Sequence, residues 1–176
     1  NGSNFMNHIS HKVPGLEFST GSLGHGLPYA VGIALGNKLK NIDSKVYVIL
    51  GDGEVAEGSN WEALLFASHN KLDNLVVIVD NNNLQSLTTV DETLSLEPYE
   101  QKFLSFGCNV HKLDGHNHTQ LNNVFDNLKL DFKPTVILAK TIKGKGVSFM
   151  ENQVKWHYKS PNTEELSTAI KEINNA

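Results

Sequence analysis

Cysteine is nearly missing from this chain. Cys108 stands alone, so no internal disulfide can brace the fold, which points away from the small disulfide-stapled secreted class. No apolar run approaches the length of about 20 residues that a membrane-spanning helix needs, and no secretory leader is read at the start. Positive charge is not in excess either: 15 Lys and Arg stand against 19 Asp and Glu, for a net charge of -4. That balance lacks the clustered basic face that nucleic acid selects. There is no internal repeat and no low-complexity tract. The expectation left by these absences is a cytoplasmic protein with no nucleic-acid and no membrane partner. What is present is ordinary for a globular chain: 176 residues, 39% hydrophobic and 19% charged, enough for a single domain over residues 1–176 with a sizeable core.

The chain is organised around the stretch from Lys45 to Leu84. Lys45 to Leu50 and Leu75 to Val79 are short apolar, β-rich runs, and the segment between them has room for one helix. A right-handed βαβ crossover makes two such strands parallel. Gly51-Asp52-Gly53 and Asp80-Asn81-Asn82-Asn83 then leave the same carboxyl edge of one sheet, where ligands of open α/β sheets bind. One carboxylate and one carboxamide converge there. Oxygen ligands of that kind suit a hard ion such as Mg²⁺, which completes its octahedron with water and phosphate oxygens. The stretch reads as a magnesium diphosphate site.

The rest repeats the β-α rhythm. Gly21-Ser22-Leu23-Gly24-His25-Gly26 is a glycine-rich turn before a helix over Leu27 to Leu39, and such a turn can bring peptide N–H groups close to an anion. Glu54 and Glu57 lie around the start of a helix that runs to about Asn70; for Glu54 the helix dipole is a sufficient reason. Trp61, Leu64, Leu65 and Ala67 have the spacing of a buried stripe. Leu84 to Glu97 is a polar connection, long enough to suggest a functional loop. A helix from Pro98 to Phe106, a strand over Cys108 to Leu113, a helix capped at Asn117 or Thr119 and a strand over Thr135 to Ala139 follow. His116 and His118 lack the further ligands that a zinc site needs and read as loop and cap residues. The basic turn Lys143-Gly144-Lys145-Gly146 leaves the last strand at the ligand edge. An amphipathic helix opens near Asn162. The fold class is α/β, a mainly parallel sheet with helices on both faces.

Gly51-Asp52-Gly53 followed by Asn81-Asn82 resembles the signature of thiamine diphosphate enzymes. Ser19-Thr20-Gly21-Ser22-Leu23-Gly24, Glu57-Gly58 and Ala139-Lys140-Thr141-Ile142-Lys143-Gly144-Lys145-Gly146 are similar to the amino-terminal subunit of a split transketolase, in the family's order and over nearly the whole chain. The resemblance implies the thiamine diphosphate-binding fold, with Asp52, Asn82 and the Leu84 carbonyl holding Mg²⁺. It implies cofactor contacts at Gly21, Ser22, Leu23, Asp52, Gly53, Asn82, Lys143 and His157. His157 and His8 would act on a sugar or sugar phosphate substrate, and Glu57 would join a carboxylate network between active sites. The implied enzyme is a transferase that moves a two-carbon ketol unit from a ketose to an aldose. It would work only with a carboxyl-terminal subunit that binds the aminopyrimidine, in an α₂β₂ assembly. Asn7-His8-Ile9 and Tyr158 depart from the family's Gly-His-Pro and Trp-His-Gly. The family carries further helices ahead of this point, so the chain reads as lacking an amino-terminal piece. The competing readings are a deoxyxylulose phosphate synthase or 2-oxoacid dehydrogenase subunit, and a non-catalytic interaction subunit of the same fold.

Overall fold

The β-branched runs become four parallel strands in the computed structural model, which describes residues 5 and 8–175. In chain order they are β1 (Val46–Gly51), β2 (Leu75–Asn81), β3 (Asn109–Asp114) and β4 (Thr135–Lys140). Across the sheet the order is β1-β2-β4-β3. Gly51 pairs with Asp80, and Asp80 with Ala139. That register aligns the ends of β1, β2 and β4, so the turns after them leave side by side from one carboxyl edge.

Seven helices accompany the described strands: α1 (Gly26–Leu39), α2 (Asp52–Val55), α3 (Gly58–His69), α4 (Val90–Thr93), α5 (Tyr99–Ser105), α6 (His118–Asp126) and α7 (Thr163–Asn174). Alternation along the strands divides the apolar residues between two faces. Leu75, Val77 and Val79 of β2, with Val136 and Leu138 of β4, pack on one side with α1, α3 and α5. Val76, Ile137 and Ala139 pack on the other with Leu121, Val124 and Phe125 of α6. Helices on both faces are therefore observed, as expected for a parallel sheet. Trp61 belongs to the first core, stacked on Phe103 with centroids 5.1 Å apart. On the α6 side, Tyr47 and Ile49 of the edge strand β1 remain 51% and 67% exposed. They line an apolar groove of about 1030 Å³ together with Phe18 and Tyr29. Among the described residues, no helix is long and apolar enough to cross a membrane.

Three local features differ from the expected elements. Where one helix was expected to start around Glu54 and Glu57 and run to about Asn70, α2 and α3 are separated at Glu57, whose backbone is extended (φ -71, ψ 128). The cause lies in side chains: Asn60 Nδ2 donates to Glu54 O at 2.5 Å and Trp61 Nε1 donates to Val55 O at 3.0 Å. Those carbonyls would otherwise continue the helix to residues 58 and 59. β2 continues past Val79 to Asn81, because Asp80 and Asn81 still pair with β4. The connection after Leu84 is not featureless: Leu84 bridges Thr89, and Thr89 caps α4 by accepting from Glu92 N. Asn117 is the cap of α6 and accepts from Gln120 N at 3.1 Å. Asn162 and Glu165 form a reciprocal capping box at the start of α7.

Candidate functional site

The turn after β1 sends the chain straight into α2, and Asp52, its first residue, points inward. It is 1% exposed. Oδ1 accepts from Asn81 Nδ2 at 3.0 Å and from the Tyr99 hydroxyl at 3.3 Å; Oδ2 accepts from Asn83 N at 2.6 Å. Among the described ion pairs none involves Asp52. Burial raises its pKa, and the donors from Asn81, Asn83 and Tyr99 oppose that rise. Burial, with the Asp52 charge beside it, likewise raises the Tyr99 phenol. A carboxylate taken out of water and left without a counter-cation is costly.

The second oxygen donor stands on the turn after β2. Asn82 Nδ2 donates to Asp80 Oδ2 at 3.1 Å, and Asn82 Oδ1 accepts from Leu84 N at 2.9 Å. Asn83 adopts a left-handed backbone (φ 66), which Asn tolerates well and which turns its N–H onto Asp52. The bridge at Leu84 is closed by its neighbours, Val90 N to Asn83 O and Gln85 N to Thr88 O. That pair of bonds leaves the Leu84 carbonyl out. Asp52 and Asn82 stand on adjacent turns, with Asn82 held on Asp80 and Asn81 on Asp52, and the oxygens of Asp52, Asn82 and the Leu84 carbonyl are of the hard type that suits Mg²⁺. Beside them a Cβ on Gly53 would meet Gln85 at 3.6 Å. Among the described residues, no group of three or more His, Cys, Asp or Glu gathers elsewhere as a metal cluster. His116 proves structural, its Nε2 accepting from Ile142 N at 2.8 Å.

The basic turn and the late histidine, 14 residues apart in sequence, come together: Lys143 Nζ lies 3.4 Å from His157 Nδ1. His157 ends a short 3₁₀ turn (Val154–His157). Partial burial, and then the Lys143 charge, lower its pKa, which favours the neutral imidazole. Gly144 and Gly146 take left-handed backbones (φ 75 and 91) and let the turn fold back. In the glycine turn, Gly21, Ser22 and Leu23 are exposed. The His8 ring lies directly on Gly21, where a Cβ would be 2.8 Å from His8 Cδ2.

The two early acids differ in their surroundings. Glu54 Oε1 accepts from Gly24 N at 3.1 Å, so beyond its place in the first turn of α2 it holds the glycine turn against that helix. Its carboxyl is raised, chiefly by burial, with the Gly24 bond opposing. Glu57 is exposed, its Cβ resting where a Cβ on Gly24 would come within 2.7 Å. Sequence reasoning did not single out Asn81, Tyr99 or Thr141. The signal for Asn81 was in plain view, one residue before Asn82, but adjacency alone does not say which of two neighbouring amides faces Asp52.

Comparison with known proteins gives a concordant result. The family model described as transketolase, thiamine diphosphate binding domain, matches residues 3–173. The chain is 42% identical over 165 residues to one subunit of the apulose-4-phosphate transketolase of Actinobacillus succinogenes, covering 94% of this chain and 60% of that protein. It is 39% identical over 163 residues to the 6-deoxy-6-sulfo-D-fructose transketolase subunit SqwG of a Clostridium species, covering 92% and 59%. The chain therefore spans about six-tenths of the length of these subunits. Among solved structures, the transketolase of Campylobacter jejuni superposes with a TM-score of 0.84 at 32% identity, over 91% of this chain and 26% of that one.

Proposed function

The chain belongs to the transketolase family, as its thiamine diphosphate-binding domain, and we propose that it supplies the Mg²⁺-diphosphate half of a two-part ketol transferase. The observation that carries this is the buried carboxylate of Asp52, which none of the described ion pairs involves, on the turn beside the one that bears Asn82. In this reading Asp52, Asn82 and the Leu84 carbonyl hold Mg²⁺, and Gly53, Lys143 and the N–H groups of Gly21, Ser22 and Leu23 receive the cofactor. When bound, thiamine diphosphate supplies a nucleophilic ring carbon and an electron sink for a two-carbon ketol fragment.

The chain's own residues bind and orient. Lys143 is a point charge for diphosphate; partial burial first, and then the Lys143 charge, lower the His157 pKa and favour an imidazole able to take a proton from a substrate hydroxyl. His8, whose ring lies over Gly21 of the glycine turn, meets the substrate in this reading. Glu57, exposed at the start of α3, faces outward to an interface. The donor is a ketose and the acceptor an aldose. Relatives named for apulose-4-phosphate and for 6-deoxy-6-sulfo-D-fructose point to anionic sugars. The 176 residues contain no arginine, so any bidentate guanidinium contact to a substrate phosphate or sulfonate would come from residues outside them. In this reading a partner binds the aminopyrimidine, and relatives that are themselves named as single subunits of a transketolase support such a division.

Calorimetric titration with thiamine diphosphate, with and without Mg²⁺ and in the presence of the candidate partner, tests the reading. Binding that requires Mg²⁺ and is lost in Asp52→Ala is expected. Binding of equal strength without the metal would refute it.

A further inference from the structure

Asp80 is not one of the metal's proposed ligands, yet two parts of the site meet on it. It pairs with Gly51 of β1 on one side and with Ala139 of β4 on the other, at the middle of the carboxyl edge. Its Oδ2 accepts from Asn82 Nδ2 at 3.1 Å, and its Oδ1 accepts the hydroxyl of Thr141. Among the described ion pairs none involves Asp80.

An ionised carboxylate has only acceptors to offer, so the group of Asn82 that faces it must be the NH₂. The amide oxygen is then turned the other way, where Leu84 N–H meets it at 2.9 Å. This choice matters because the two ends of a carboxamide have nearly the same size, and a half-turn about χ2 is decided by donors and acceptors rather than by shape. A hard cation binds the oxygen, while the amide nitrogen is a donor with no free lone pair. Thr141 directly follows β4, its N–H donates to Asn81 O at 3.2 Å, and it stands two residues before Lys143.

We propose that Asp80 is a positioning residue for the metal: it fixes the Asn82 amide with oxygen toward the cation and, through Thr141, ties that orientation to the root of the Lys143 turn. This rests on the magnesium diphosphate reading above. One carboxylate thereby sets the metal end and the lysine end of the diphosphate grip together.

The test measures Mg²⁺ affinity at saturating thiamine diphosphate, by calorimetry with the partner present, alongside the melting temperature of each variant. Asp80→Leu removes both acceptors at similar size and should weaken Mg²⁺ by about tenfold or more, the usual cost of losing an outer partner of a metal ligand. Asp80→Asn should lose clearly less than Asp80→Leu, because its Oδ1 can accept from Asn82 while its Nδ2 donates to the Thr141 oxygen. Thr141→Val added to Asp80→Asn withdraws that second acceptor and frees the introduced amide to turn its NH₂ toward Asn82. The double variant should then lose more affinity than the product of the single losses. That non-additive result does not need Asp80→Leu to fold. Asp80→Leu with parental Mg²⁺ affinity, Asp80→Asn as weak as Asp80→Leu, or a purely multiplicative double variant would each overturn the proposal. A parent protein that shows no Mg²⁺-dependent cofactor binding would instead overturn the reading it rests on.

Discussion

Asp52→Asn should make the ligand-free protein more stable while removing its response to metal and cofactor. The parent carboxylate is 1% exposed and has no cationic partner among the described ion pairs. Burial of one ion costs several kcal/mol after relaxation, and each hydrogen bond to a charged group returns about 1.5–3 kcal/mol. The raised pKa, with burial as its first cause, decides the balance: the charge is disfavoured in net. A carboxyl whose folded pKa lies above its unfolded one stabilises fully below the unfolded value and loses that contribution as pH rises through the folded value. At neutral pH the parent therefore carries a penalty. Asn has the same volume and no charge, and its neighbours can adapt, since the Asn81 amide can turn to accept and the Tyr99 oxygen is itself an acceptor. A gain on the order of 1 kcal/mol follows, or about 2–4 °C in melting temperature for a chain of this size. Loss of an anionic ligand should weaken Mg²⁺ by more than the roughly 10–100-fold seen for outer partners. The assay is a set of thermal melts with and without Mg²⁺ and thiamine diphosphate at about 100 times the parent Kd, where the parent should gain about 2.7 kcal/mol. Asp52→Asn should start higher, show no ligand shift and lack the parent's decline above the unfolded pKa. A variant that melts well below the parent without ligand, or that keeps the ligand shift, refutes the reasoning.

Lys143→Ala should chiefly weaken cofactor binding, by about 10–100-fold for one charge-assisted contact, whereas His157→Ala should chiefly lower kcat at saturating cofactor; equal, small effects at both would mark a solvated loop. Lys143→Ala should also shift the acid limb of the kcat–pH profile to higher pH, because the Lys143 charge is one of the causes that lower the His157 pKa; an unmoved limb would separate the two residues. Gly24→Ala should cost about 1–2 kcal/mol in backbone strain at least, since Gly24 has φ 80 and a Cβ would meet Glu57 Cβ at 2.7 Å; a parental urea midpoint would contradict this.

Much of this site was legible because its parts sit at strand ends, where spacing carries information. Two β-rich runs separated by one helix put Asp52 and Asn82 on neighbouring turns, and β1 and β2 pair as that pattern requires. The hidden part depends on side-chain direction. Asn81 and Asn82 are adjacent, and only the continuation of β2 to Asn81 gives Asn81 the Asp52 contact while Asn82 turns to Asp80. Glu54 and Glu57 were hard to rank for a similar reason. The break at Glu57 comes from Asn60 and Trp61 reaching back to the Glu54 and Val55 carbonyls, which no helical period reveals. His116 looks in sequence like half of a metal pair; its role as an acceptor for Ile142 N arises from the approach of β3 and β4, far apart in the chain. Cys108 is buried, and its thiol is pushed up to about 12, so its reactivity is suppressed by the core it helps to fill.

In the proposed reading the chain grips the diphosphate end of the cofactor and acts with a second polypeptide. The direct measurement is ketol transfer by the purified chain with Mg²⁺, thiamine diphosphate and a panel of anionic ketoses and aldoses, with and without the candidate aminopyrimidine-binding subunit. The expected result is no turnover by the chain alone, turnover in the mixture, and none in a mixture made with Asp52→Ala. Robust turnover by the chain alone, or an undiminished rate with Asp52→Ala, would contradict it.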